Sequence, residues 1–117
     1  MIHRIANRSS VYLCYEQVDF RKNINGLAAI VQGSFHQDPF EGSLFVFCSK
    51  SKNAIKVLQW DTDGFVLYHK RREKGRFSWP EITDKEGTVN ITKRDLYRLL
   101  DGLVMEQFVP HKNYTMI

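Results

Sequence analysis

Cysteine is scarce in this chain: Cys14 and Cys48 are the only two among 117 residues. A disulfide scaffold carries more of them in a smaller secreted sequence, so these two read as reduced thiols buried in strands. Zinc needs closely spaced Cys/His pairs. None occurs, and His3, His36, His69 and His111 are scattered. No apolar run approaches the roughly 20 residues that span a bilayer. Met1 to Ser10 is polar and mixed, without the apolar stretch of a secretory signal, so the expectation is a cytoplasmic protein. There is no Gly-rich phosphate loop, no His beside a Ser or Cys in a nucleophile motif, no internal repeat and no Pro/Gly-rich linker. A metal-dependent nuclease or transposase brings together about three carboxylates. Asp61 and Asp63 are close, but they lie in a turn that accounts for them, and Glu16 with Asp19 is no better. The sequence therefore argues for no enzyme, no metal and no cofactor.

What is present suits one globular domain. Hydrophobic residues make up 43% of the chain and aromatics 13%, enough for a core. Val11 to Tyr15 reads as a buried strand. Asp19 can cap a helix that follows, whose stripe of Ile24, Leu27, Ala28, Val31 and Phe35 repeats at threes and fours and ends near Gly33. Ser43 to Cys48 reads as a second buried strand. Ile55–Trp60 and Phe65–Lys70 form a hairpin across Asp61-Thr62-Asp63-Gly64, with Gly64 supplying the positive φ. Arg76–Trp79 and Thr88–Ile91 read as two further short strands. Thr92 opens a last helix whose Leu96, Leu99, Leu100 and Leu103 face the core, with an end near Gly102. The order is β-α-β-β-β-β-β-α. The fold class is α+β, a mainly antiparallel sheet of about five to six strands with two helices packed on one side. The domain spans 1–110, and 111–117 is a polar tail.

Charge is unevenly spread. The chain carries +4, yet residues 50–76 hold eight cations against three carboxylates, a net of +5, which leaves −1 for the other 90 residues. The cations are Lys50, Lys52, Lys56, Lys70, Arg71, Arg72, Lys74 and Arg76. In a hairpin turning at 61–64, residues near 55 lie opposite residues near 70. The two basic clusters then share the end away from the turn. Long cationic side chains on one surface are what a phosphate backbone requires, so these eight residues are the candidate nucleic-acid contacts. Trp60, Phe65, Phe77 and Trp79 could stack on bases, although Trp60 and Phe65 are better read as core. Alternation places Lys56, Leu58 and Trp60 on one strand face and Ile55, Val57 and Gln59 on the other, without saying which face is wet.

The residue order of the hairpin is itself informative. Lys56-x-Leu58-x-Trp60-Asp61-x-x-Gly64-Phe65-x-Leu67-x-x-Lys70-Arg71-x-Glu73-x-Gly75-Arg76-Phe77-x-Trp79-Pro80 resembles the signature of the TnpB accessory proteins of the sixty-six family of bacterial insertion sequences. These are encoded in the second reading frame beside the transposase. Upstream, Asp19-Phe20-Arg21-Lys22 with Gly26-Leu27 resembles that family's Asp-Met-Arg-Lys…Gly-Leu motif. Asp38-Pro39-Phe40…Gly42-x-Leu44-Phe45-Val46-Phe47 is similar to its next block. The resemblance covers about residues 11–104 and departs in two places. Cys48 stands where the family commonly has arginine, which would leave Lys50 or Lys52 to take that residue's role. Phe20 replaces the usual methionine. The resemblance implies a non-catalytic accessory role in transposition, with DNA and the element-encoded transposase as partners. It leaves open whether the protein binds DNA itself or is a protein–protein module whose hairpin and leucine helix dock on the transposase.

Overall fold

The computed structural model describes residues 10–14, 18–79 and 88–102. Its elements are β1 (Val11–Cys14), α1 (Ile24–Gly33), β2 (Leu44–Cys48), β3 (Ala54–Asp61), β4 (Gly64–Arg71), β5 (Thr88–Ile91) and α2 (Lys93–Leu100). The five strands form one sheet in the order β4-β3-β2-β1-β5. β2–β3, β3–β4 and β1–β5 are antiparallel, and β1 pairs β2 in parallel, Val11 opposite Leu44. The sheet is therefore mixed. A parallel pair needs a crossover, and α1 provides it between β1 and β2.

The expected α+β class and hairpin-rich sheet are what the chain adopts. The helices, however, lie on opposite faces rather than on one side. Successive strand residues point to opposite faces. Leu44, Val46 and Cys48 join Ile55, Val57 and the α2 residues Leu96, Leu99 and Leu100 in one core cluster. Phe45, Phe47, Leu58 and Cys14 join the α1 residues Leu27 and Val31 in the other. That is why all five residues of β2 are buried and apolar: both of its faces are covered. Each fully buried leucine contributes about 1.5–3 kcal/mol through removal from water.

Local chemistry sets the helix ends. Asn23, not Asp19, caps α1: its Oδ1 accepts from the Gly26 N–H at 3.1 Å. Asp19 is committed elsewhere, to Arg21. α2 starts as expected, with the Thr92 hydroxyl accepting from the Asp95 N–H at 3.0 Å. It stops at Leu100, and Gly102 takes φ +79° just beyond, the left-handed position that follows many helices. Leu103, the last member of the expected stripe, and the 111–117 tail lie outside the described residues.

Two local expectations are corrected. Arg76–Trp79 is not a strand: the Phe77 N–H donates to Lys52 O at 2.7 Å and the Trp79 N–H to Phe77 O at 3.0 Å, with no ladder. At the hairpin tip the left-handed residue is Thr62, φ +57°, rather than Gly64.

Candidate nucleic-acid interface

The basic end of the hairpin is assembled from two segments. The first, Ser49 to Asn53, is a tight loop closed by Ser49 N–H to Ala54 O and Lys52 N–H to Ser49 O, both 3.0 Å. Inside it, the Asn53 Oδ1 accepts from the hydroxyls of Ser51 (2.6 Å) and Ser49 (3.2 Å). The second, Arg71 to Phe77, is tied to that loop through its backbone. The Arg72 N–H donates to Asn53 O at 2.8 Å and the Phe77 N–H to Lys52 O at 2.7 Å. The buried rings of Phe77 and Trp79 anchor its far end in the α2-side core, so neither is a stacking platform for bases.

The eight candidate cations divide once placed. Lys50, Arg71, Lys74 and Arg76 are exposed, and Lys52 is half-buried beside them with φ +62°. Arg71 lies 3.2 Å from Glu73, with side chains 67% and 78% exposed, a pairing worth little in water. Arg72 is partly buried. Its Nη1 donates to Arg76 O at 2.8 Å, and its guanidinium lies 5.8 Å from the Phe77 ring centroid. It braces the loop from beneath. Lys70 donates to Leu100 O at the end of α2.

Lys56 departs furthest from a surface role. It is only 7% exposed, and its Nζ donates to Phe20 O at 2.9 Å and Lys22 O at 3.2 Å. It sits on the α1 face of β3, opposite His69, with Nζ 5.0 Å from the Phe20 ring centroid. A buried ammonium requires such acceptors, because an unpaired one costs several kcal/mol or more.

The carboxylates of the turn lie elsewhere. Ala54 pairs with Arg71 and Asp61 with Gly64, so at about 3.3 Å per residue Asp61 and Asp63 are roughly 23 Å from the basic end. That exceeds the Debye length of about 8 Å at physiological salt, and they do not neutralise it. At their end, Phe40, Trp60 and Phe65 pack against one another with ring centroids 5.0–5.4 Å apart, and Phe40 is 54% exposed. Trp60 and Phe65 are thus partly buried members of an aromatic cluster, not interior residues. Among the described residues, no group of three or more His, Cys, Asp or Glu side chains comes together to hold a metal ion. No helix among them is long and apolar enough to cross a membrane.

One cation outside the expected set, Arg21, adjoins the patch, and Lys22 follows it in the chain. Arg21 and Lys22 are both exposed. Val18, Asp19, Phe20 and Arg21 form one wall of a cleft of about 300 Å³ whose other wall is Ser49, Lys50 and Ser51. The Val18 N–H bonds Cys48 O at 3.3 Å and brings the walls together. Arg21 lies 29 residues from Lys50 in sequence, and composition alone offers no signal that they meet. Asp19 is held well below the usual carboxylate range by its side-chain hydrogen bond from Arg21 and by the Arg21 backbone N–H.

The segments that build this surface lie inside a family match. The sequence matches the IS66 Orf2-like proteins over residues 9–110. The chain belongs to that family. This IS66 Orf2-like protein is 32% identical over 93 residues to the uncharacterized protein y4jC of Sinorhizobium fredii, covering 80% of this chain and 78% of that one. A second protein of that organism, the uncharacterized protein y4hO, is 34% identical over 93 residues, covering 80% and 79%. No solved structure matches it. Membership makes it an insertion-sequence accessory protein associated with the IS66 transposition machinery.

Proposed function

We propose that this IS66 Orf2-like protein serves transposition without catalysing it, by binding DNA, alone or in complex with the transposase. The contact surface is that of Lys50, Lys52, Arg71, Lys74 and Arg76, with Arg72 as its brace. Lys56 drops out as a phosphate contact because its ammonium is buried on two backbone carbonyls, and Lys70, half-buried with its ammonium on Leu100 O, is given a structural role. One observation carries the reading: the backbone bonds from Arg72 to Asn53 and from Phe77 to Lys52 join two cationic segments into one surface, remote from the turn carboxylates. A surface with a handful of exposed cations neutralises several phosphates and releases their counterions, so affinity falls steeply with salt.

The test is binding to labelled duplex and single-stranded DNA across a salt series. The expected result is a log–log slope of about −3 to −4, reduced by roughly 2 in the Lys74→Ala/Arg76→Ala variant, at about 0.9 per phosphate. No binding at low salt, or a slope near zero, sinks the reading.

The exposed aromatic cluster at the opposite end of the hairpin favours a second reading, docking on the transposase through Phe40, Trp60 and Phe65. The leucine face of α2 has no part in it, because Leu96, Leu99 and Leu100 are buried. A pull-down with purified transposase after nuclease treatment separates the two. A complex that survives supports docking, and one that is lost supports a DNA bridge.

A further inference from the structure

Arg21 is fixed more firmly than its position warrants. Its side chain is 91% exposed, and ordering an arginine there opposes about 2 kcal/mol of rotamer entropy. Yet Asp19 grips it from one side. Nε donates to Oδ1 at 3.1 Å and Oδ2 at 3.0 Å, Nη2 to Oδ2 at 2.7 Å, and the Arg21 backbone N–H to Oδ1 at 2.9 Å. The main chain is fixed from beneath as well. Lys56 Nζ bonds the carbonyls of Phe20 and Lys22, the two that bracket Arg21. An exposed ion pair between residues two apart adds little to stability, so stability alone does not account for the arrangement.

The edge that is left matters. Asp19 takes the Nε–Nη2 side of the guanidinium, and among the described residues no bond is made by Nη1, so the N–H donors of Nη1 and the second one of Nη2 remain for another ligand. This is the fork that donates to two oxygens of a phosphate in bidentate fashion. Arg21 lines the cleft whose opposite wall carries Lys50, and Lys22, exposed, follows it in the chain.

We propose that Arg21 is a preorganised receptor for a single phosphodiester group of nucleic acid, seated in this cleft against Lys50, with Asp19 as its positioning residue. The inference rests on the nucleic-acid reading above and adds to it an anchor outside the 50–76 segment.

The two accounts of Asp19 differ in sign. Charge counting says that Asp19→Asn tightens DNA binding, because it removes a carboxylate from a basic surface. The receptor requires the reverse, since the guanidinium loses its charged grip. Fluorescence anisotropy of a labelled 20-base-pair duplex, titrated with the full chain across potassium chloride concentrations, reads the difference. Asp19→Asn is expected to weaken binding about 3- to 10-fold. Its Oδ1 still accepts from the Arg21 N–H, so the turn is kept. Arg21→Lys, which retains both the charge and Asp19, is expected to weaken binding by a similar factor through loss of the fork. Arg21→Ala should also lower the salt slope by about 0.9. Full-strength or tighter binding by either Asp19→Asn or Arg21→Lys overturns the proposal. The wider basic surface still stands in that case if the Lys50→Ala/Lys74→Ala/Arg76→Ala variant loses affinity. A wild-type chain that binds no DNA at low salt overturns both.

Discussion

Lys70 donates its ammonium to the carbonyl of Leu100 and so ties the outer strand of the sheet to the last turn of α2. The final carbonyls of a helix lack intrahelical partners and carry the negative end of its dipole, so a cation there is stabilising. Lys70→Ala is therefore expected to lower the free energy of unfolding by about 1–3 kcal/mol in urea titrations. It should leave the salt dependence of DNA binding nearly unchanged. Lys74→Ala should do the opposite, shifting stability by less than about 0.5 kcal/mol because it is a surface change. Two lysines four residues apart in one basic run would thus separate into a structural and a binding cation.

That separation shows what the sequence can and cannot reveal. β2, β3, β4 and both helices follow from periodicity, and the Thr92 cap from its spacing to Asp95, because those signals are local. The opposite placement of the helices is not local. Both faces of β2 are apolar, which is compatible with two covered faces, but which helix covers which face rests on packing between elements distant in the chain. Asp19 and Asn23 are equally good caps by residue type, and the choice falls to Asn23 because Arg21 engages Asp19. Arg76 to Trp79 alternates like a strand, yet its backbone N–H groups go to Lys52 O and Phe77 O rather than to a strand ladder. Among the cations, charge identifies the segment but not the depth. Lys56 is a lysine like its neighbours until the turn at Phe20–Lys22 covers it. Arg21 lies outside the basic segment, and its partner in the cleft is distant in the chain.

The end of α2 is fitted against Arg72. Gly102 has φ +79°, and a Cβ there would lie 3.1 Å from Arg72 Nη1. Gly102→Ala is expected to destabilise by about 1–2 kcal/mol, from the left-handed backbone and from displacing the guanidinium. The second part is removable. In an Arg72→Ala background the same substitution should cost less, and the difference in a double-mutant cycle by chemical denaturation measures the contact. Equal costs in the two backgrounds would show that the backbone carries the whole effect.

The thiols report on opposite faces of the sheet. Cys48 lies in the α2-side cluster and Cys14 in the α1-side cluster, both fully buried. Burial pushes the Cys48 thiol up to about 11, against a smaller opposing pull from Lys52, and pushes Cys14 well above its ordinary value. Only the thiolate attacks disulfide reagents. At pH 8 both thiols should therefore label slowly, at rates that follow unfolding, and both should react at once in denaturant. Rapid native-state labelling of Cys48 alone would instead show that the Ser49–Asn53 loop opens locally.

The hairpin tip stores strain that can be removed without touching the basic end. Thr62 has φ +57°, and the Asp63 N–H donates to the Asp61 carbonyl across it, a γ-turn in its strained, positive-φ form. A β-branched residue is poorly suited to that region, whereas asparagine enters it readily. The Thr62 hydroxyl returns little, since its 3.3 Å bond to Asp61 Oδ1 is solvent-exposed. Thr62→Asn is expected to stabilise the protein by about 0.5–1 kcal/mol, read as a rise in thermal midpoint. Thr62→Gly should gain less, because glycine relieves the same strain but adds freedom to the unfolded chain. Neither should alter the salt slope of DNA binding, as the turn lies roughly 23 Å from the cationic surface. A changed slope would mean that the tip itself contacts the nucleic acid, and would extend the interface along the whole hairpin.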